Sequence, residues 1–131
     1  MRRAPLIRWP LTLAWTALVV YLMTTGGPGT PADALSDLAG DTDLTDALGH
    51  IFLFGVLAAL WAWSLDSHLP GWRALAAATV IALALGATTE GLQASIPGRS
   101  LSLLDAAADL LGVLGGVALR WWQRGYTAGA R

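Results

Sequence analysis

Four apolar stretches, each close to the length of a bilayer-spanning helix, leave this chain few folds to choose from. They are Leu6 to Thr24 (LIRWPLTLAWTALVVYLMT), Ala47 to Leu65 (ALGHIFLFGVLAALWAWSL), Trp72 to Ser95, and Leu103 to Trp122. A helix needs roughly 20 predominantly apolar residues to cross the hydrocarbon core, and lipid offers open backbone groups no partners, so helices are the economical choice. Turn formers mark the breaks: TTGGPGTP from Thr24 to Pro31, LPG from Leu69 to Gly71, and PGR from Pro97 to Arg99. The composition agrees, with 55% hydrophobic and 13% charged residues. Soluble domains carry roughly 45 to 50% apolar and about 25% charged residues. The expected fold is therefore all-α, a four-helix transmembrane bundle forming one domain over residues 1–131, with short loops except for one long acidic loop between the first two helices.

Charge placement predicts the orientation. Arg2, Arg3 and Arg8 precede or open the first helix, Arg73 lies between the second and third, and Arg120, Arg124 and Arg131 follow from the end of the fourth. Arg99 alone falls on the opposite side. By the positive-inside rule this puts both termini in the cytoplasm and the long loop and the PGR turn outside. The long loop holds Asp33, Asp37, Asp41, Asp43 and Asp46 and no basic residue. A competing reading takes residues 1 to about 34 as a cleaved signal peptide ending at Ala32-Asp33-Ala34. That triplet lies far beyond the end of the apolar run at Met23, and the other three helices keep their orientation either way.

This topology brings the polar residues of three helices to one depth. Asp46 and His50 are four apart at the outer start of the second helix. Glu90 and Gln93 are three apart in the last two turns of the third, and Asp105 and Asp109 are four apart at the start of the fourth. Each pair shares a helix face. Arg99, in the connecting turn, is the basic residue placed to offset the acids. Gly112 and Gly116 continue the Asp105 and Asp109 stripe as a small-x-x-x-small motif, which suits close packing within the chain or against a second copy. Gly86 and Glu90 repeat the arrangement on the third helix.

Several of these residues have plainer uses. Ser102-x-x-Asp105 fits a capping box, and Asp43-x-x-Asp46 fits an N-cap followed by a first-turn acid. Pro97-Gly98 suits a tight turn, His68 suits a solvated loop, and Trp61, Trp63, Trp72, Trp121 and Trp122 suit interfacial anchors. Capping does not explain His50, Glu90, Gln93 or Asp109, which lie at least a turn inside their spans. An ionisable side chain at the bilayer centre costs on the order of 2.5 to 3.5 kcal/mol by insertion scales, a cost normally met by pairing or by function. His50 and Glu90 suit a general acid/base pair, or with Asp105 and Asp109 a divalent-ion site of oxygen and nitrogen ligands. Arg99 is a natural fork for a phosphate or carboxylate. No nucleophile, base and orienting group form a legible triad, so no reaction is named. With 0 Cys there is no disulfide or thiolate chemistry, and the net charge of -1 leaves no basic stripe for nucleic acid.

Taken together, Asp46, His50 and Phe54, then Glu90-x-x-Gln93, then Pro97-Gly98-Arg99-Ser100, then Asp105 with Gly112 and Gly116, resemble the VanZ-like family of small bacterial membrane proteins. The resemblance runs from Asp46 to Gly116. Ala47 stands where that family often has Lys and Asp109 where it often has Asn, and both differences make the site more negative. The resemblance implies a multi-pass protein of the bacterial cytoplasmic membrane acting at the cell envelope, in a family whose founding member is associated with teicoplanin resistance. Three functions follow as expectations. In the first, a polar site near the outer leaflet binds or processes an amphiphilic envelope lipid or lipidated antibiotic, with His50, Glu90 and Asp109 as catalytic candidates and Asp46, Gln93, Arg99, Ser100 and Asp105 as ligand-binding residues. In the second, the same residues form a helix-packing network in a non-catalytic scaffold. Transport, the third, suits four helices least.

Overall fold

The structure, a computed structural model, describes residues 5–25, 29–40, 42–95 and 102–129. Arg99, Ser100 and the Pro97-Gly98 turn lie outside the described residues. The protein is all-helical, with no strand among the described residues: α1 Pro5–Thr24, α2 Pro31–Ala39, α3 Asp43–Leu65, α4 Trp72–Gln93 and α5 Leu103–Gly129. The four expected helices form, α1 and α4 within two residues of the bounds read from hydropathy, whereas α3 starts four residues earlier, at Asp43, and α5 continues past Trp122 to Gly129. The acidic connection differs, because its middle forms the short helix α2. Pro31 opens that helix and Asp33 lies in its first turn, where carboxylates favour helix starts. Gly40, at a φ of 105°, ends it.

The cap of α3 also departs from expectation. Thr42, not Asp43, is the N-cap. Its hydroxyl accepts from the Thr45 amide, and the Thr45 hydroxyl accepts from the Thr42 amide in return. Asp43 and Asp46 are first-turn acids beside it. A hydroxyl at the N-cap satisfies an orphan N–H without bringing a further charge to the helix start. At α5 the expected contact forms: the Asp105 amide donates to Ser102 Oγ at 3.2 Å.

Three helices are long and apolar enough to cross a membrane: α1 over Ile7–Thr24, α3 and α4. Helix α5 is the longest at 27 residues, but Asp105, Asp109 and Arg120 divide its apolar run, and it does not meet the same measure. The outward faces are apolar, with Leu13, Val80, Leu83, Leu111 and Leu114 all exposed. So much exposed apolar surface is foreign to a water-soluble monomer and natural to one surrounded by lipid.

Helix α3 is the hub, packing against α1, α4 and most extensively α5. The core joins Phe54, Leu57 and Ala58 of α3 to Val19 and Met23 of α1, Ala82 of α4 and Val113 of α5. Small residues set the spacing. On α4, Ala74, Ala78, Ala82, Gly86 and Glu90 recur every fourth position, and all are buried. On α5, a Cβ added to Gly112 would lie 2.5 Å from the Ile51 carbonyl oxygen of α3, and one on Gly116 would overlap the carbonyl of Gly55. Gly55 in turn faces the Gly112 carbonyl, so bare backbone meets bare backbone. The Gly112 and Gly116 face, which by sequence alone also suits a second copy, is therefore covered by α3 of the same chain.

The two ends of the structure are tied by different chemistry. At the end holding the start of α1 and the end of α3, Thr12 Oγ1 and Ser64 Oγ are 2.8 Å apart, and Arg8 donates to the Trp63 carbonyl at 3.0 Å. Asp66, just past α3, meets Arg120 at 2.7 Å and also pairs with Arg124, which donates to the Gly71 carbonyl at 2.6 Å. His68 is not simply solvated, because Trp9 Nε1 donates to its Nε2 at 3.2 Å.

Candidate functional site

At the opposite end, the start of α3, the end of α4 and the start of α5 come together. His50 Nδ1 and Asp109 Oδ1 are 2.8 Å apart, joining α3 to α5 across 59 residues of sequence. Both side chains are largely buried, at 12% and 7% exposure. The imidazole lies nearly parallel to the Phe54 ring one turn along α3, with ring centres 6.3 Å apart and planes 12° from parallel. Gly86 of α4 makes the arrangement possible. A Cβ there would come within 3.1 Å of Asp109 Oδ2 and 3.3 Å of Phe54, so the missing side chain provides the space that the carboxylate and the ring occupy.

Glu90 follows Gly86 by one turn of α4 and is 8% exposed. The Ser102 backbone amide at the start of α5 is turned toward its carboxylate, and the charges of Asp105, Asp109 and His50 all act on it. Its Oε1 is buried with no hydrogen-bond partner. A buried acceptor without a donor costs about 1 to 3 kcal/mol, and more when it is charged, so this oxygen stands out in a structure where most buried polar groups are paired.

Of the residues singled out by sequence, His50 and Asp109 are in contact, and Glu90 and Asp105 lie within electrostatic reach of both. Asp46 is exposed at the rim, one turn before His50. Gln93 turns elsewhere: its Nε2 donates to the Met23 carbonyl of α1 at 2.5 Å. Its observed role is to hold the end of α1 against α4, because three residues along the helix fall about 60° short of a full turn, enough to swing the Gln93 amide from the Glu90 side toward α1. Gln93→Leu keeps the bulk and removes the donor, so a drop of about 1 kcal/mol in stability is expected. Thermal melting of the purified protein in detergent checks this, and an unchanged midpoint would show that the bond contributes nothing.

Among the described residues no group of three or more His, Asp and Glu side chains is arranged to hold a metal ion. The pair His50 and Asp109, with Glu90 alongside, can hold a proton or accept hydrogen bonds. Sequence reasoning did not find the Asp66 clasp with Arg120 and Arg124 at the other end. The signal was present, since those arginines are four apart and Asp66 is the acid nearest the turn they reach. Family profiles, curated proteins and solved structures were compared with the chain, and none matches.

Proposed function

We propose that this chain is a VanZ-like protein of the bacterial cytoplasmic membrane, in which α1, α3, α4 and α5 form a four-helix transmembrane bundle with both termini inside. Charge supports this orientation. Arg8, Arg73, Arg120 and Arg124 gather at one end, while eight of the nine acids, all but Asp66, belong to the other. Helix α5 crosses with its acids turned inward onto α3 and α4 and its leucines turned to lipid. Short helix α2 then lies on the outer surface.

In this arrangement His50, Glu90, Asp105 and Asp109 form a polar site near the outer leaflet that receives the head group of an amphiphile, an envelope lipid or a lipidated antibiotic, while its chain stays in the bilayer. The observation that carries this reading is Glu90 Oε1, a buried acceptor without a donor beside the paired His50 and Asp109. A second reading, a helix-packing network without a ligand, is favoured by the two ties that already join helices, His50 with Asp109 and Gln93 with Met23.

Two measurements test these readings. The chain has 0 Cys, so single cysteines at Ala94 and Ala106 report sidedness directly. Both should react in intact cells with an impermeant thiol reagent, and labelling only after membrane disruption would reverse the orientation. For the site, Glu90→Gln removes the charge and retains the shape. The variant should reach wild-type abundance or exceed it, because a neutral amide is less costly to bury than a carboxylate. An amphiphile that co-purifies with the wild type, detected by native mass spectrometry, should be absent from it. If nothing that co-purifies depends on Glu90, the scaffold reading stands in its place.

A further inference from the structure

Among the described residues Glu90 Oε1 is the one buried side-chain oxygen without a hydrogen-bond partner; the Nε atoms of Arg8 and Arg120, which also lack one, lie at the far end of the bundle. Glu90 is more than nine-tenths buried, and its Oε1 accepts from nothing. The Ser102 backbone amide is turned toward its carboxylate, and the charged side chains nearest it are mostly acidic. Asp105 and Asp109 bring further carboxylates, and His50 is engaged by Asp109 at 2.8 Å. No described side chain directs a guanidinium at the cluster. Of the eight arginines, Arg8, Arg73, Arg120 and Arg124 are held at the far end, and Arg99 is the one basic residue that the sequence sets on this side, against eight acids. An anionic head group entering here would meet like charge at close range, which costs several kcal/mol in a poorly screened setting. A cationic one would supply the missing donor and offset the excess acid in one step.

We infer that the head group held between α3, α4 and α5 is cationic, a primary ammonium or guanidinium of an amphiphile, which donates to Glu90 Oε1 and lies against Asp105. This rests on the reading that the cluster is a ligand site and adds the charge class of the ligand. Glu90 and Asp105 make the direct contacts. Asp109 is a positioning residue, because one of its oxygens engages His50 and the other packs at the open backbone of Gly86. The stacked Phe54 ring closes the inner side of the imidazole, so the head group approaches from the start of α5.

The test uses the full chain in detergent and three probes below their micelle-forming concentrations: dodecylamine, dodecyl phosphate and butylamine. Thermal midpoint against probe concentration is measured for wild type, Glu90→Gln and, as a second variant in case the first fails to fold, Asp105→Asn. Dodecylamine should raise the wild-type midpoint saturably. Its half-saturating concentration should increase roughly tenfold in either variant, as expected for loss of one charge-assisted hydrogen bond. Butylamine, which carries the same head group without a chain, separates a soluble amine from a lipid-borne one. Stabilisation by butylamine at concentrations like those of dodecylamine would overturn the amphiphile and leave a soluble cation. Stabilisation by dodecyl phosphate in place of dodecylamine, lost in Glu90→Gln, would overturn the charge class while sustaining the site. If the response to every probe is the same in wild type and both variants, the inference and the ligand-site reading fall together.

Discussion

Gly116→Ala is expected to lower the stability of the protein by about 3 kcal/mol, at the upper end of the range for overpacked sites. The added methyl would overlap the Gly55 carbonyl and press on the Ala59 amide. Those atoms are backbone, so no rotamer change relieves the clash. Relief requires α5 to move away from α3, and that displacement would carry Asp109 away from His50. The neighbouring position supplies the control. Nothing lies within 4 Å of a Cβ at Gly115, so Gly115→Ala meets no obstacle and gains up to about 1 kcal/mol of helix propensity. Melting of the purified proteins in detergent, followed by tryptophan fluorescence, should therefore place Gly116→Ala well below wild type and Gly115→Ala at or above it. Equal midpoints for the two variants would rule out the backbone-to-backbone contact between α3 and α5.

Asp109→Ala should cost about 2 kcal/mol, the scale of a buried hydrogen bond to an ionisable partner together with the group left unpaired. Asp109→Asn retains an acceptor oxygen at 2.8 Å from His50 Nδ1 if the side chain keeps its place, and should lie within about 1 kcal/mol of wild type. The two variants separate hydrogen bonding from charge. A double-mutant cycle with His50→Ala sharpens the result. Because the two side chains touch, the Asp109→Ala and His50→Ala effects should fall short of additivity by about 1 to 2 kcal/mol. Strict additivity would mean that the contact contributes no stability. The sign matters for function as well. A strong coupling alongside an unaltered ligand response marks the pair as a helix tie, whereas Glu90, which has no tie to lose at Oε1, should show the reverse.

Much of the fold was legible because hydropathy depends on local composition. The ends of α1, α3 and α4 follow from where apolar residues stop and glycine or proline begins. Helix α2 is harder to read, since nine residues that include two Asp, a Ser and a Pro resemble a polar loop until the Pro31 start and the Gly40 end are considered together. Thr42 and Asp43 are both good capping residues for α3 by type, and only the backbone geometry decides between such neighbours. The candidate site was legible as far as helix periodicity reaches. Spacings of three and four place Asp46 with His50, Glu90 with Gln93, and Asp105 with Asp109 on common faces, but do not say which way each face turns.

The sequence by itself determined that the chain is helical and that it holds apolar stretches long enough to cross a bilayer, four by its reading, of which three are helices long and apolar enough in the structure. Each of these follows from residue type and spacing along one dimension. Only the tertiary structure decided that Gln93 serves α1 and not the acidic cluster, that Gly112 and Gly116 are spent on α3 within the chain, and that Glu90 keeps a buried oxygen without a donor. Those outcomes depend on how far each helix is rotated about its own axis, and that rotation is set by where bare backbone meets bare backbone at Gly55, Gly112 and Gly116 and by the gap at Gly86. A glycine carries no pattern that names its partner, so the contacts it permits are seen only once the helices have been packed.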